Sequence, residues 1–292
     1  MSHWLCPILF LVAQADAAPL PSGPSQTSVQ VDGLLIELFT YKPANYKNGP
    51  LIVVFHGMLR NADTYRDNAK GMGDRYGALI VAPLFDLKRF PNEAYQMGGL
   101  IRKDELQPKE KWTWSLVPKL VDEVRRREGR PKMPYYLIGH SAGGQFLCRL
   151  TGFVPTAAEG IVVANPGSDL FPTRDMPFPY GFGKLPAELS DDAAIQRYLA
   201  RPMTLYLGTA DVESKNLPKG ELADKQGKTR YERGKQCFKL AQDIAKEKGW
   251  TCNWRLVEAA NIGHDAQLMF QNEQCAAALF GNGKVPGASR SR

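Results

Sequence analysis

Apolar positions along this 292-residue chain fall into two alternating patterns. The first is a set of short, unbroken apolar runs at Leu51–Phe55, residues 78–82, residues 135–138, Gly160–Ala164 and residues 203–207. Runs of that length, rich in Val, Ile and Leu, predict strands covered on both faces. Residues 34–41 alternate loosely and predict an early antiparallel strand, and residues 253–257 close the series. The second pattern is helical. Val117, Leu120, Val121 and Val124 form one apolar stripe, and Cys237, Leu240, Ala241 and Ile244 form another. Residues 266–280 predict a final helix. Strands alternating with helices predict an α/β fold, a mostly parallel central sheet with helices on both faces. Chemistry in such sheets gathers beyond the carboxyl ends of the strands, so motifs there carry most weight.

The first residues break this alternation. Residues 4–13 are almost entirely apolar, and Ala15-Asp16-Ala17 then places small residues where a signal peptidase reads. The run is too short to span a bilayer, so residues 1–17 read as a signal peptide and predict a secreted or periplasmic protein. No later stretch is long and apolar enough to cross a membrane. Residues 18–23 read as a flexible start, residues 27–282 as one catalytic domain and residues 283–292 as a flexible tail. A 43% share of hydrophobic residues supports one large core.

Loss of Cys6 with the signal leaves Cys148, Cys237, Cys252 and Cys275. An even number in an exported chain permits two disulfides, with Cys252–Cys275 the favoured pair and Cys148 a buried thiol. No Cys or His spacing matches a metal site, and no cofactor is expected. The net charge of +7 is densest at Arg125-Arg126-Arg127, Arg130 and Lys132. That cluster ends a predicted helix, where cations suit the dipole. Without aromatic interleaving or a known module, nucleic acid is not an expected partner.

Gly139-His140-Ser141-Ala142-Gly143-Gly144 lies between a predicted strand and a predicted helix. In that context GxSxG forms a sharp turn that lifts the serine hydroxyl off the sheet, and small flanking residues let strand and helix approach. A serine hydroxyl needs a base. Of His3, His56, His140 and His264, the first leaves with the signal, the second ends a strand and the third sits inside the elbow. His264, in a loop after the last strand, remains. Asp211 in Gly208-Thr209-Ala210-Asp211 follows the strand at 203–207 and gives the order Ser, Asp, His. Asp169 and Glu213 are its rivals. After Leu51–Phe55, His56-Gly57 predicts a tight turn that aims the Met58 N–H, with that of Ala142, at an oxyanion. His56 itself is expected to brace this turn, and Arg60 and Tyr65 read as surface.

With these motifs the chain resembles an α/β-hydrolase, and within that superfamily it is similar to the esterase/depolymerase group of polyhydroxybutyrate depolymerases, feruloyl esterases and acetylxylan esterases. The match spans about residues 30 to 280. The resemblance implies ester hydrolysis through an acyl-enzyme, on a small or polymeric ester, with no metal or organic cofactor and no stable membrane insertion. No separate substrate-binding domain is visible.

Residues 165–200 are longer than an ordinary connection. They carry Phe171, Phe178, Tyr180 and Phe182, either as a cap forming an acyl pocket or as a cover for the sheet. Phe178, Tyr180 and Trp114 are therefore candidate substrate contacts, with Trp112 beside the last. A serine peptidase of the same fold and a non-catalytic binding protein on the same scaffold are the competing functions.

Overall fold

In the computed structural model, which describes residues 18–281, the chain runs β1 (Gly23–Val31), β2 (Leu34–Lys42), β3 (Leu51–Phe55), α1 (Ala62–Tyr76), β4 (Leu79–Pro83), α2 (Asn92–Tyr95) and a small hairpin, β5 (Ile101–Arg102) with β6 (Glu105–Leu106). It continues with α3 (Leu116–Arg127), β7 (Tyr135–His140), α4 (Ala142–Phe153), β8 (Gly160–Ala164), α5 (Ala187–Ser190), α6 (Asp192–Leu199) and β9 (Met203–Gly208). It ends with α7 (Glu221–Asp224), α8 (Arg230–Lys248), β10 (Arg255–Ala259), α9 (Ala266–Gln271) and α10 (Gln274–Phe280). Residues 1–17 and 283–292, read above as signal peptide and tail, lie outside the described residues.

Eight strands form one sheet in the order β1-β2-β4-β3-β7-β8-β9-β10. From β4 to β10 every neighbouring pair is parallel, while β2 meets both β1 and β4 antiparallel. The unbroken apolar runs follow from this, because β3, β4, β7, β8 and β9 are buried at every position. Alternate residues serve opposite faces. Leu51, Val53 and Phe55 pack with Leu120 of α3 and Phe146 of α4. Ile52 and Val54 pack with Met72 of α1 and with Phe270 and Leu279 of the last two helices. This is the predicted architecture, the α/β-hydrolase sheet.

Three local readings change. The sheet begins at Gly23, ahead of residue 27, with an edge strand that apolar pattern could not reveal, since Gly23–Val31 is largely polar and half exposed. The segment before it is also fixed: Leu20 is buried, its N–H donates to Glu128 Oε1 (2.9 Å) and its carbonyl accepts from Lys42 Nζ (2.9 Å). The predicted last helix is two, because Asn272 takes an extended conformation and its side chain accepts from the Gln274 N–H.

The favoured disulfide does not form. Cys252 is half-buried against the core on one side of the sheet and Cys275 is buried in the core on the other. All four described cysteines are free thiols.

Candidate active site

Ser141 sits between the last residue of β7 and the first of α4 with φ 59° and ψ −117°, a backbone state a non-glycine residue rarely adopts. Its N–H donates to Ala164 O of the next strand (3.0 Å), which pins the turn. The turn exists only because neighbouring Cβ atoms are missing. A Cβ on Gly143 would meet Phe55 O at 2.2 Å, and one on Gly139 would meet Gly143 O at 2.3 Å.

The other two loops are tied to this one by backbone and amide bonds. Asn165, buried at the end of β8, accepts the Gly208 N–H through Oδ1 (2.8 Å) and donates from Nδ2 to Gly263 O (3.3 Å). Thr209 N–H donates to Ala259 O and Ala210 N–H to Ile262 O, both at 3.0 Å. One side chain and two amides therefore clamp the loop after β9 to the loop after β10.

That clamp brings together the residues picked from sequence. His264 Nε2 lies 3.0 Å from Ser141 Oγ, and His264 Nδ1 lies 2.7 Å from Asp211 Oδ2. A carboxylate only accepts, so Nδ1 donates to Asp211 and Nε2 is left to accept from the serine hydroxyl. Asp211 is buried, whereas His264 stands at the surface with its side chain 29% exposed. Asp169, the rival, is also buried, but its carboxyl faces Cys148 Sγ at 3.8 Å. Glu213 is exposed and gives only its backbone carbonyl, to Arg230.

Arg230, the first residue of α8, was not singled out in the sequence. It is buried against Asp211, with Nη1 3.3 Å from Oδ1, and it also donates to Glu213 O (3.3 Å) and Lys215 O (2.7 Å). Nothing in the local sequence marks it, because it approaches Asp211 from nineteen residues further along the chain.

His140 and His56 frame the site as neutral rings. The His140 ring packs against that of His264, tilted by 35° with centroids 4.5 Å apart. Burial, reinforced by His264 and Arg230, holds the His140 pKa well below the usual histidine range. Burial likewise lowers His56 to about 4. His56 accepts the Phe85 N–H at Nε2 (3.1 Å), so Nδ1 carries the proton and donates to Gly57 O (3.0 Å). The expected brace is present. Gly57 O also accepts the Arg60 N–H (3.2 Å), closing the turn that presents Met58. Among the described residues neither the Met58 nor the Ala142 amide has an acceptor. Tyr65, read as surface, is instead buried, its hydroxyl 3.3 Å from His140 Nδ1.

Ser141 opens into a 420 Å³ cleft lined by the Gly57–Leu59 turn, by Asn61, Thr64 and Asn68 of the α1 region, and by residues 264–267. Phe178, Tyr180 and Trp114 are not among its lining residues. Trp114 is fully buried and stacks on Phe153 (5.6 Å). Phe178 packs edge-on to the same Phe153 (5.8 Å), and Tyr180 O accepts from Gln226 Nε2. The insertion at 165–200 is thus a hydrophobic cover for one face of the sheet, since aromatic rings this apolar are better buried than left beside an open cleft.

A parallel sheet with an elbow serine at the end of a central strand defines the α/β-hydrolase class. Within it, the chain is 34% identical to LpqC, a poly(3-hydroxybutyrate) depolymerase from Bordetella parapertussis, over 88% of this chain and 90% of that one, with TM-score 0.80. It is 28% identical to poly(aspartic acid) hydrolase-1 from Sphingomonas sp. KT-1, over 86% and 97% of the two chains, TM-score 0.79. A thermostable esterase at 13% identity, covering 86% of this chain and 60% of its own, shares the fold with TM-score 0.54. No family model and no curated protein matches the sequence. The chain belongs to the esterase/depolymerase group of the α/β-hydrolases. No helix among the described residues is long and apolar enough to cross a membrane.

Proposed function

We propose that the chain is an exported serine hydrolase that cleaves carboxylic esters through an acyl-enzyme intermediate. The observation that carries this reading is the unbroken relay from Ser141 Oγ through His264 to Asp211, with links of 3.0 and 2.7 Å at the base of an open cleft. In this reading Ser141 Oγ attacks the ester carbonyl carbon as His264 Nε2 takes its proton, and Asp211 stabilises the imidazolium. Charge on the carbonyl oxygen is met by the Met58 and Ala142 amides, and loss of such a donor typically costs about 3 kcal/mol. His264 then hands the proton to the departing alkoxide. Water, deprotonated by the same ring, releases the acid and restores Ser141. Export rests on residues 1–17, and a polymeric ester is favoured by the depolymerase at 34% identity.

Amide hydrolysis by the same steps is a second reading, favoured by the likeness to a poly(aspartic acid) hydrolase. The test is direct. Purified protein lacking residues 1–17 is expected to turn over p-nitrophenyl butyrate and to be labelled by a fluorophosphonate on Ser141. A folded protein that takes no label would refute the hydrolase reading, and amide cleavage without ester turnover would promote the second.

A further inference from the structure

The cleft at Ser141 runs along a helix face that the ester chemistry above does not use. Asn61, immediately before α1, and Thr64 and Asn68 within it all line the cleft. A helix rises 1.5 Å per residue, which sets the three about 4.5 Å and then about 6 Å apart along the axis, on one side. Asn61 occupies the capping position of α1 yet makes no side-chain capping bond. Neither its side-chain amide nor that of Asn68 has a hydrogen-bond partner among the described residues. The Thr64 hydroxyl makes one long bond, 3.4 Å, to Asp63. Helix α1 starts just past Met58, so the row begins beside the reaction centre and runs two helical turns away from it.

We propose that Asn61, Thr64 and Asn68 hold successive carbonyl oxygens of an extended substrate chain, making this row the part of the site that measures chain length. The inference rests on the ester-hydrolase reading above and adds residues to it. Three extended backbone bonds span about 3.5 Å, so a chain with four bonds per carbonyl repeats about every 4.7 Å, close to the first step of the row, and two repeats span about 9.4 Å against about 10.5 Å from Asn61 to Asn68. A polyester of a 3-hydroxy acid has that repeat. Asn amides and a Thr hydroxyl are donors suited to neutral carbonyls, and they discriminate through number and spacing.

The experiment compares kcat/KM for methyl esters of the 3-hydroxybutyrate dimer, trimer and tetramer, using the protein without residues 1–17. Wild type is expected to favour the tetramer, and Asn61→Ala with Asn68→Ala to lower the tetramer-to-dimer ratio about tenfold, the effect of two modest hydrogen bonds. Asn61→Asp with Asn68→Asp keeps the side-chain size but removes the donors, and should lower the ratio at least as much. An unchanged ratio in either double variant, or a wild type indifferent to length, overturns the proposal. Failure of wild type on every oligomer while p-nitrophenyl butyrate is turned over would likewise overturn the proposal, and failure on both would sink the ester-hydrolase reading beneath it.

Discussion

Asp211 gives one carboxylate oxygen to His264 and the other to Arg230, while Asp169, also past the end of a strand, has only the Cys148 thiol as a side-chain donor among the described residues. One of its oxygens is buried without a partner. Asp211→Asn should therefore cost about 10⁴ in kcat, by forcing the wrong histidine tautomer, with the fold intact. Asp169→Asn should keep turnover, and the reverse pattern would exchange their roles. Burial raises the Asp169 pKa to about 7, against the opposing effect of Arg149 and Arg233. A carboxyl raised in the folded state adds stability below about pH 4 that is lost as pH rises to about 7. His56, lowered to about 4, works the other way, adding stability above about pH 6.5 that is lost as pH falls to about 4. In wild type the two oppose. Removing the aspartate term, Asp169→Asn should show melting temperature rising more steeply between pH 4 and 7 than wild type, which a calorimetric pH series would record. Arg230 is read the same way. Arg230→Met leaves a buried carboxylate without its cation, and a loss of about 3–5 kcal/mol in urea unfolding is expected. Arg230→Lys should recover part of it, because an ammonium cannot reproduce a fork that reaches three acceptors.

The elements divide into those that place the relay and those that only enclose the core. The β7–α4 turn belongs to the first group, and its tightness comes from backbone packed on backbone. Gly143→Ala drives a Cβ onto Phe55 O and His56 O, at 2.2 and 2.9 Å, neither of which can rotate away. A loss near 3 kcal/mol is expected, together with loss of activity, because β3 carries the proposed oxyanion turn at the same point. A shifted urea midpoint with a displaced near-ultraviolet spectrum would register it; full activity in a stable Gly143→Ala protein would contradict the packing argument. The insertion at 165–200 belongs to the second group. Its aromatic content promised a pocket, but Phe182 is enclosed by Phe153 and Tyr198, and its neighbours follow it inward. Apolar residues in a long loop report burial somewhere, and a linear pattern does not say against what.

Across the whole molecule, the carboxyl ends of β3, β7, β9 and β10 deliver every residue of the proposed machinery to one edge of the sheet. The same architecture separates the cysteines, with Cys252 and Cys275 held on opposite sides. Thiol titration of denatured, non-reduced protein should find the four described cysteines free, and a reducing agent should leave the melting temperature unchanged. What the chain's own pattern determined was the β/α alternation, the elbow at Ser141 and the choice of His264, since each rests on local periodicity, local turn chemistry or a short supply of histidines. The edge strand at Gly23–Val31 escaped, having few apolar residues to betray it. Which of Asp211 and Asp169 lies beside His264, the placing of Arg230 against Asp211, the packing of Trp114 and Phe178 in the core and the lining of the cleft by one face of α1 all waited on tertiary structure. Each depends on which distant segments meet across the sheet, and that is fixed by strand order and packing, quantities that no window of neighbouring residues contains.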